Sequence, residues 1–273
     1  MANRALLVGI NSYPTAPLNG CVNDISDMCD FLTKSCGFAE AEIRVLVDDR
    51  ATTDQIRARL NWLASDVQPN DRRLFQYSGH GTQLVTRDAN GNVTAMHDAI
   101  CPVDFDFTPE HALTDDDFTA IFQQIPAGVE FNWISDSCNS GDLAKAMTFV
   151  KRHPRFFPMP FDLQWRIRTA RAANLQPPGL PRSIQHLNGA FMSACMSNES
   201  ADDATPNGRP NGAFTFCLLQ VLGGPTGLTM PLTELVGQVN NVLQQYGYTT
   251  QHPQLQGNPV ICSRPWLNLA PGA

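Results

Sequence analysis

The most constraining feature of the chain is the run "RALLVGI", Arg4 to Ile10, which is apolar without alternation. A strand with one solvated face alternates apolar and polar residues. An unbroken run needs cover on both faces, as in a parallel sheet flanked by helices. The segments that follow repeat the theme. "NDISDMCDFLTKSCG" reads as a helix, with Ile25, Met28, Phe31 and Leu32 at helical spacing, Asp24 and Asp27 at its positive end and Gly37 as its stop. "EIRVLVD" is a second strand. "TTDQIRARLNWLASDVQP" is a second helix, with a Thr52/Gln55 capping box and a face of Ile56, Leu60, Leu63 and Val67. "RRLFQYS" and "GVEFNWIS" are further core strands, with a hairpin turn expected at Asn90-Gly91 and a short helix at "TDDDFTAIFQQIP" between them. "LNGAFMSAC" is a fifth strand, "NGAFTFCLLQVL" and "PLTELVGQVNNVLQQYG" are helices, and "PVIC" is expected as a short final strand. Strands alternating with helices define an α/β chain with a mainly parallel sheet of about six strands and helices on both faces.

Composition narrows the function. The chain has 273 residues, 42% of them hydrophobic, and a net charge of −7. An acidic surface has no general affinity for nucleic acid or an anionic membrane, and suits a cationic peptide. No apolar run is long enough to span a bilayer, and the first residues lack the pattern of a secretory signal, so a cytoplasmic chain is expected. Its eight cysteines form no CxxC pair and its six histidines are scattered, which argues against zinc. Most of the thiols are expected to be reduced core residues. One stretch differs in composition. Residues 139–188 are rich in proline and carry Lys145, Lys151, Arg152, Arg155, Arg166, Arg168, Arg171 and Arg182 against Asp142 and Asp162 alone. So long a loop inside one domain is expected to be functional or disordered.

Ligand sites of open α/β sheets form beyond the carboxyl ends of the strands. The third strand runs into "YSGHG", with His80 at its mouth, and the fourth into "DSCNSG", with Cys138 at its own. If these strands are parallel neighbours, a thiol and an imidazole face one cleft, the geometry of thiolate–imidazolium catalysis. Gly79 and Gly81 let the backbone turn sharply and pass close to a ligand. The backbone N–H groups of Gly81 and Cys138 are the candidate oxyanion donors, each worth about 3 kcal/mol of barrier.

"YSGHGTQ" and "DSCNSG" resemble the two catalytic motifs of the caspase-like cysteine peptidases, closest to metacaspases and their bacterial relatives. The flanks "LLVGINSYPTAPLNGCVNDISDM", "DAICPVDF", "LTDDDF", "FMSACMSNESADD" and "HPQLQGNP" extend the resemblance over nearly the whole chain. It implies a caspase-like fold and a single peptidase domain over residues 1–273, with the basic loop at about 139–188 as an insertion. It implies a His80–Cys138 dyad that cleaves peptide bonds through an acyl-enzyme without a required cofactor. The caspase-proper motif is absent, so aspartate specificity is not implied. The resemblance places Asp24 and Asp136 in a pocket for the substrate's Arg or Lys, with Cys21 and Ser78 lining it, and a bidentate Arg–carboxylate pair is strong and directional. It also implies calcium as an activator, held by Asp98, Asp115 and Asp116; the fourth family position is Lys145, which opposes a divalent cation, with Asp142 as a substitute. Self-cleavage within Lys145 to Arg182 and a monomeric state are further expectations. The partners expected are peptide or protein substrates, not nucleic acid or membrane. The contrasting class is a non-catalytic caspase-homology scaffold, which loss of the cysteine or histidine would mark; a further variant is a cysteine hydrolase with another leaving group.

Overall fold

The computed structural model describes residues 2–90, 93–138, 153–157, 159–165, 187–196 and 199–269. Its centre is a six-stranded sheet built from β1 (Asn3–Gly9), β2 (Ile43–Val47), β3 (Arg72–Ser78), β7 (Glu130–Asp136), β9 (Ala190–Ser193) and β12 (Gln254–Gly257). The order is β12-β9-β7-β3-β1-β2. All neighbours are parallel except β12, which pairs antiparallel with β9.

The unbroken apolar runs have the cause their composition suggests. In β1, Leu6 and Val8 enter one core and Ala5 and Leu7 the other, because successive side chains of a strand point to opposite faces. The first core is covered by α2 (Thr53–Ala64) and α3 (Asp115–Phe122) through Ile56, Leu60, Leu63, Phe118 and Phe122. The second is covered by α1 (Cys21–Ser35), α4 (Ala213–Leu222) and α5 (Leu232–Gln245) through Ile25, Met28, Phe214, Leu218 and Leu235. Thr52 caps α2 by accepting from the Gln55 N–H at 3.4 Å, and Gly37 leaves α1 at φ 70°.

Two small sheets sit apart from the centre. The hairpin β4 (Gly81–Arg87) and β5 (Val93–Ile100) pairs with β6 (Leu113–Thr114); Gly91 of its expected turn lies outside the described residues. A second sheet has the order β11 (Asn211–Gly212), β10 (Asp202–Ala204), β8 (His153–Pro154). β8 comes from the basic stretch, so part of that stretch is a strand. One expectation fails: "PVIC" is not the final strand but α6 (Pro259–Cys262). Asn258 accepts from the Val260 N–H at 2.9 Å and Pro259 occupies the first helical position, a helix start that outweighs the β-branched Val and Ile. The strand is instead Gln254–Gly257. No helix among the described residues is long and apolar enough to cross a membrane.

Candidate active site

β3 and β7 are parallel neighbours, with Ser78 opposite Asp136 at their carboxyl ends. The Gly79 N–H donates to the Asp136 carbonyl at 3.3 Å, so the two chains stay together as they leave the sheet. His80 and Cys138 follow, two residues beyond the last pair. Gly79 is required here, since a Cβ would lie 2.6 Å from the hydroxyls of both Tyr13 and Tyr77.

Beside them three carboxylates converge on one guanidinium, that of Arg155. Its Nη2 lies 2.8 Å from Asp24 and 3.1 Å from Asp203, and its Nη1 lies 3.2 Å from Asp136. Arg155, Asp24 and Asp136 are wholly buried. Each carboxylate is held by its surroundings. Asp24, in the first turn of α1, accepts from the Gly212 N–H at 2.8 Å and Asn211 at 3.1 Å. Asp136 accepts from the Thr215 N–H and hydroxyl of α4 at 3.0 and 2.6 Å. Asp203 accepts from the N–H groups of Asn19 and Gly20 at 2.8 and 2.9 Å. Gly212 belongs to the pocket by its lack of a side chain, because a Cβ would collide with Asp136 and Arg155. Burial raises Asp24 to about 6, the nearby Arg155 pulling the other way. Burial alone would lower Arg155, but the surrounding carboxylates, Asp136 first, hold it well above its ordinary value. Buried carboxylates need such a partner. Cys21 and Ser78 are buried at the same place; desolvation lifts the Cys21 thiol well above its usual range, against the pull of Arg155.

The backbone around Arg155 is held as firmly as its side chain. Its carbonyl accepts from the N–H groups of Gly81 and Cys138 at 3.0 and 3.1 Å. Its N–H donates to the Ala201 carbonyl at 3.0 Å, and β8 pairs antiparallel with β10 just before it. After it, the Phe157 N–H donates to the Gly81 carbonyl at 2.9 Å. The Cys138 sulfur is fully buried, 3.5 Å from the Ser200 hydroxyl, and accepts a short hydrogen bond from the Ala201 N–H. The two expected oxyanion donors therefore point at one carbonyl, and that carbonyl belongs to the residue seated among the acids.

His80 is oriented by the loop after β1. Its Nε2 lies 2.6 Å from the Ala16 carbonyl, in a loop where Ala16 adopts φ 57°. A carbonyl only accepts, so Nε2 carries the proton and the neutral ring leaves its lone pair on Nδ1. Nδ1 is buried and has no hydrogen-bond partner among the described residues. The ring packs on Tyr13 at 4.6 Å and Phe157 at 5.3 Å. Desolvation lowers its pKa to about 4, partly offset by the Ala16 carbonyl.

Among the described residues, the group close enough to share one ion is His97, Asp115 and Asp116. Asp98 accepts from Gln83, its cross-strand neighbour, at 3.1 Å. It is His97 that meets Asp115 and Asp116, its Nδ1 being 3.2 and 3.3 Å from their carboxylates. Calcium takes six to eight oxygens, and one imidazole with two carboxylates does not fit it. Lys145 and Asp142 lie outside the described residues.

Sequence reasoning missed Asp203, Arg155, His97 and the Ala16 carbonyl. Asp203 stands in the quoted "SADD", and the apolar pair after Arg155 in "HPRFF" marks a stretch that a polar loop would not leave in water. Nothing local to the sequence marks Ala16.

A thiol and an imidazole, each two residues beyond neighbouring parallel strands, and two N–H donors on one carbonyl thus gather at one edge of a caspase-like α/β fold. The sequence model for the metacaspase, peptidase C14 domain matches residues 3–147, which include His80 and Cys138, and the chain belongs to that family. It is 39% identical to Metacaspase-7 of Arabidopsis thaliana over 150 residues, 52% of this chain and 36% of the relative. It is 39% identical to Metacaspase-1 of Kluyveromyces lactis over 148 residues, 50% of this chain and 33% of the relative. A longer match, 27% identical over 299 residues, covers 96% of this chain and 71% of Metacaspase-1 of Scheffersomyces stipitis. The chain spans about a third of the length of the curated relatives it matches first. The solved structure of protein GSU0716 from Geobacter sulfurreducens superposes with a TM-score of 0.70 at 22% identity, covering 98% of this chain and 99% of that one, and shares the fold.

Proposed function

We propose that the protein is a cysteine endopeptidase that cleaves after arginine or lysine, and that it cleaves itself after Arg155. One caspase-like domain, residues 1–273, would carry this activity. The observation that supports it is the seating of Arg155, whose guanidinium lies among Asp24, Asp136 and Asp203 while its carbonyl accepts from Gly81 and Cys138. A substrate ready for attack is held this way, by its side chain, its N–H and its carbonyl oxygen.

In this reading the Cys138 sulfur adds to the Arg155 carbonyl carbon while its proton passes to Nδ1 of His80. The negative charge that develops on the carbonyl oxygen is stabilised by the two N–H donors. The C–N bond to Phe156 then breaks, and the imidazolium returns its proton to the departing amine. Water hydrolyses the thioester and frees the Arg155 carboxylate and the Cys138 thiol. Cys21 and Ser78 line the pocket, and no metal enters any step. Lysine presents one compact ammonium where arginine offers a fork, so arginine is the better substrate.

The test uses fluorogenic peptides that differ only in the residue before the cut, together with mass spectrometry of the chain itself. Arginine peptides are expected to be cleaved and aspartate peptides not. Cys138→Ala and His80→Ala should each lower kcat by at least about a thousandfold. Active protein should yield a fragment beginning at Phe156, and Cys138→Ala should remain one chain. Preference for aspartate, or cleavage that survives in Cys138→Ala, rejects the reading.

A further inference from the structure

The residues after Arg155 are as firmly placed as those before it. Phe156 bridges Gly81 in a parallel arrangement and is 6% exposed. Phe157 is equally buried, and its N–H donates to the Gly81 carbonyl at 2.9 Å. Its ring stands among four others. It meets His80 at 5.3 Å, Tyr13 at 5.7 Å, Phe105 at 5.5 Å and Phe107 at 5.6 Å, each edge to face. That is the geometry aromatic rings prefer over flat stacking.

Three of these walls belong to the body of the protein and have their own supports. The Tyr13 hydroxyl donates to the Cys101 carbonyl at 2.9 Å and accepts from the His80 N–H at 3.0 Å. Phe105 and Phe107 pack on each other at 4.7 Å in the loop after β5. Phe107 adopts φ 67°, unusual for a bulky side chain, and the turn that follows is tied by Asp106 to the Thr108 N–H and hydroxyl at 3.0 and 2.6 Å. A surface loop bent this way presents two phenylalanines to a single ring from the segment that leaves the cut.

Resting on the peptidase reading above, we infer that the enzyme selects its substrates on both sides of the scissile bond. It takes arginine before the bond in the carboxylate pocket and an aromatic side chain at the second position after the bond, in the pocket of Tyr13, His80, Phe105 and Phe107. Pro154-Arg155-Phe156-Phe157 is its internal example. The backbone bonds to Gly81 set the register, and the aromatic pocket reads the side chain, the division of labour of a peptide added along a strand edge. The pocket shares one wall with the reaction, because His80 is both a pocket ring and the proposed proton carrier.

The experiment uses the full chain and internally quenched peptides containing Pro-Arg-Phe-X, with X as Phe, Tyr, Leu, Ala or Glu. Phe and Tyr are expected to exceed Ala in kcat/KM by about tenfold or more, from the burial of one ring. Phe105→Ala and Phe107→Ala should each shrink the Phe-to-Ala ratio. The ratio is taken within one enzyme preparation, so any loss of folded protein divides out. In the chain itself, Phe157→Ala should slow release of the fragment beginning at Phe156 and Phe157→Tyr should preserve it. If arginine is still required but Phe and Ala are cleaved equally, the second pocket is rejected and the peptidase reading stands. If no arginine peptide is cleaved at all, both are rejected.

Discussion

His80 carries the largest tension between burial and ionisation among the candidate catalytic residues. Desolvation holds its imidazole at about 4, against 6.5 for the free side chain. Between those values the unfolded chain binds the proton more tightly, so stability rises with pH. The contribution is fully present above about 6.5 and is lost as the pH falls toward 4. A separation of this size corresponds to about 3 kcal/mol. Asp24 runs the opposite way, because burial raises its carboxyl from 3.8 to about 6 and its contribution falls as pH rises through that window. Comparing Cys138→Ala with Cys138→Ala/His80→Asn removes the Asp24 effect, which both share. Thermal unfolding from about pH 7.5 down to about pH 4 should cost the protein with His80 more than its partner, by up to that amount. Equal losses would mean an imidazole in contact with water. His80 and Cys138 were legible in the sequence because both follow core strands, and one is flanked by glycines. Arg155 was not, since eight basic residues share its stretch and only the closing of Asp203 over Asp24 and Asp136 singles one out.

At the scale of elements, the strands were the most legible part. "RALLVGI", "RRLFQYS" and "GVEFNWIS" are largely buried; the first announces itself by an unbroken apolar run, the other two by large apolar residues on either side of Gln76 and Asn132. "PVIC" misled because a short apolar run has no periodicity of its own, and Asn258-Pro259 decided it as a helix. β8 was illegible because two residues become a strand only when β10 is there to pair with. On β5 the resemblance assigns Asp98 to calcium together with Asp115 and Asp116, whereas Asp98 accepts from Gln83 and it is His97 whose ring lies against the two carboxylates. Chelator-stripped protein titrated with calcium is therefore expected to show a flat rate of arginine-peptide cleavage, with Asp98→Ala equally flat. A saturable rise abolished by Asp98→Ala would show that these elements rearrange to build an oxygen site.

For the whole molecule, the order of the central strands puts Cys138 at its middle, and the chain then covers that place with its own residues 153–157. β8 adds to β10, the Phe157 backbone runs along the start of β4, and Cys138 between them is left 0% exposed. A tethered segment competes with any free ligand at the high effective concentration of an intramolecular contact. Its hold rests on Arg155, whose removal leaves Asp24, Asp136 and Asp203 buried without a cation, a state that costs about 3–5 kcal/mol if the segment stays docked. Undocking is the cheaper response, since water then solvates the carboxylates and the central sheet is untouched. The consequence can be read on the thiol itself. In His80→Ala, which keeps the chain intact, alkylation of Cys138 by iodoacetamide should be slow. In His80→Ala/Arg155→Ala it should be faster by about tenfold or more, the rate following the open fraction. Mass spectrometry separates Cys138 from the other thiols, and Cys217, a buried residue of α4, is the internal control. Equal rates at Cys138 would mean that the segment is held by its phenylalanines alone; faster rates at Cys217 as well would mean that the fold, not the segment, had opened.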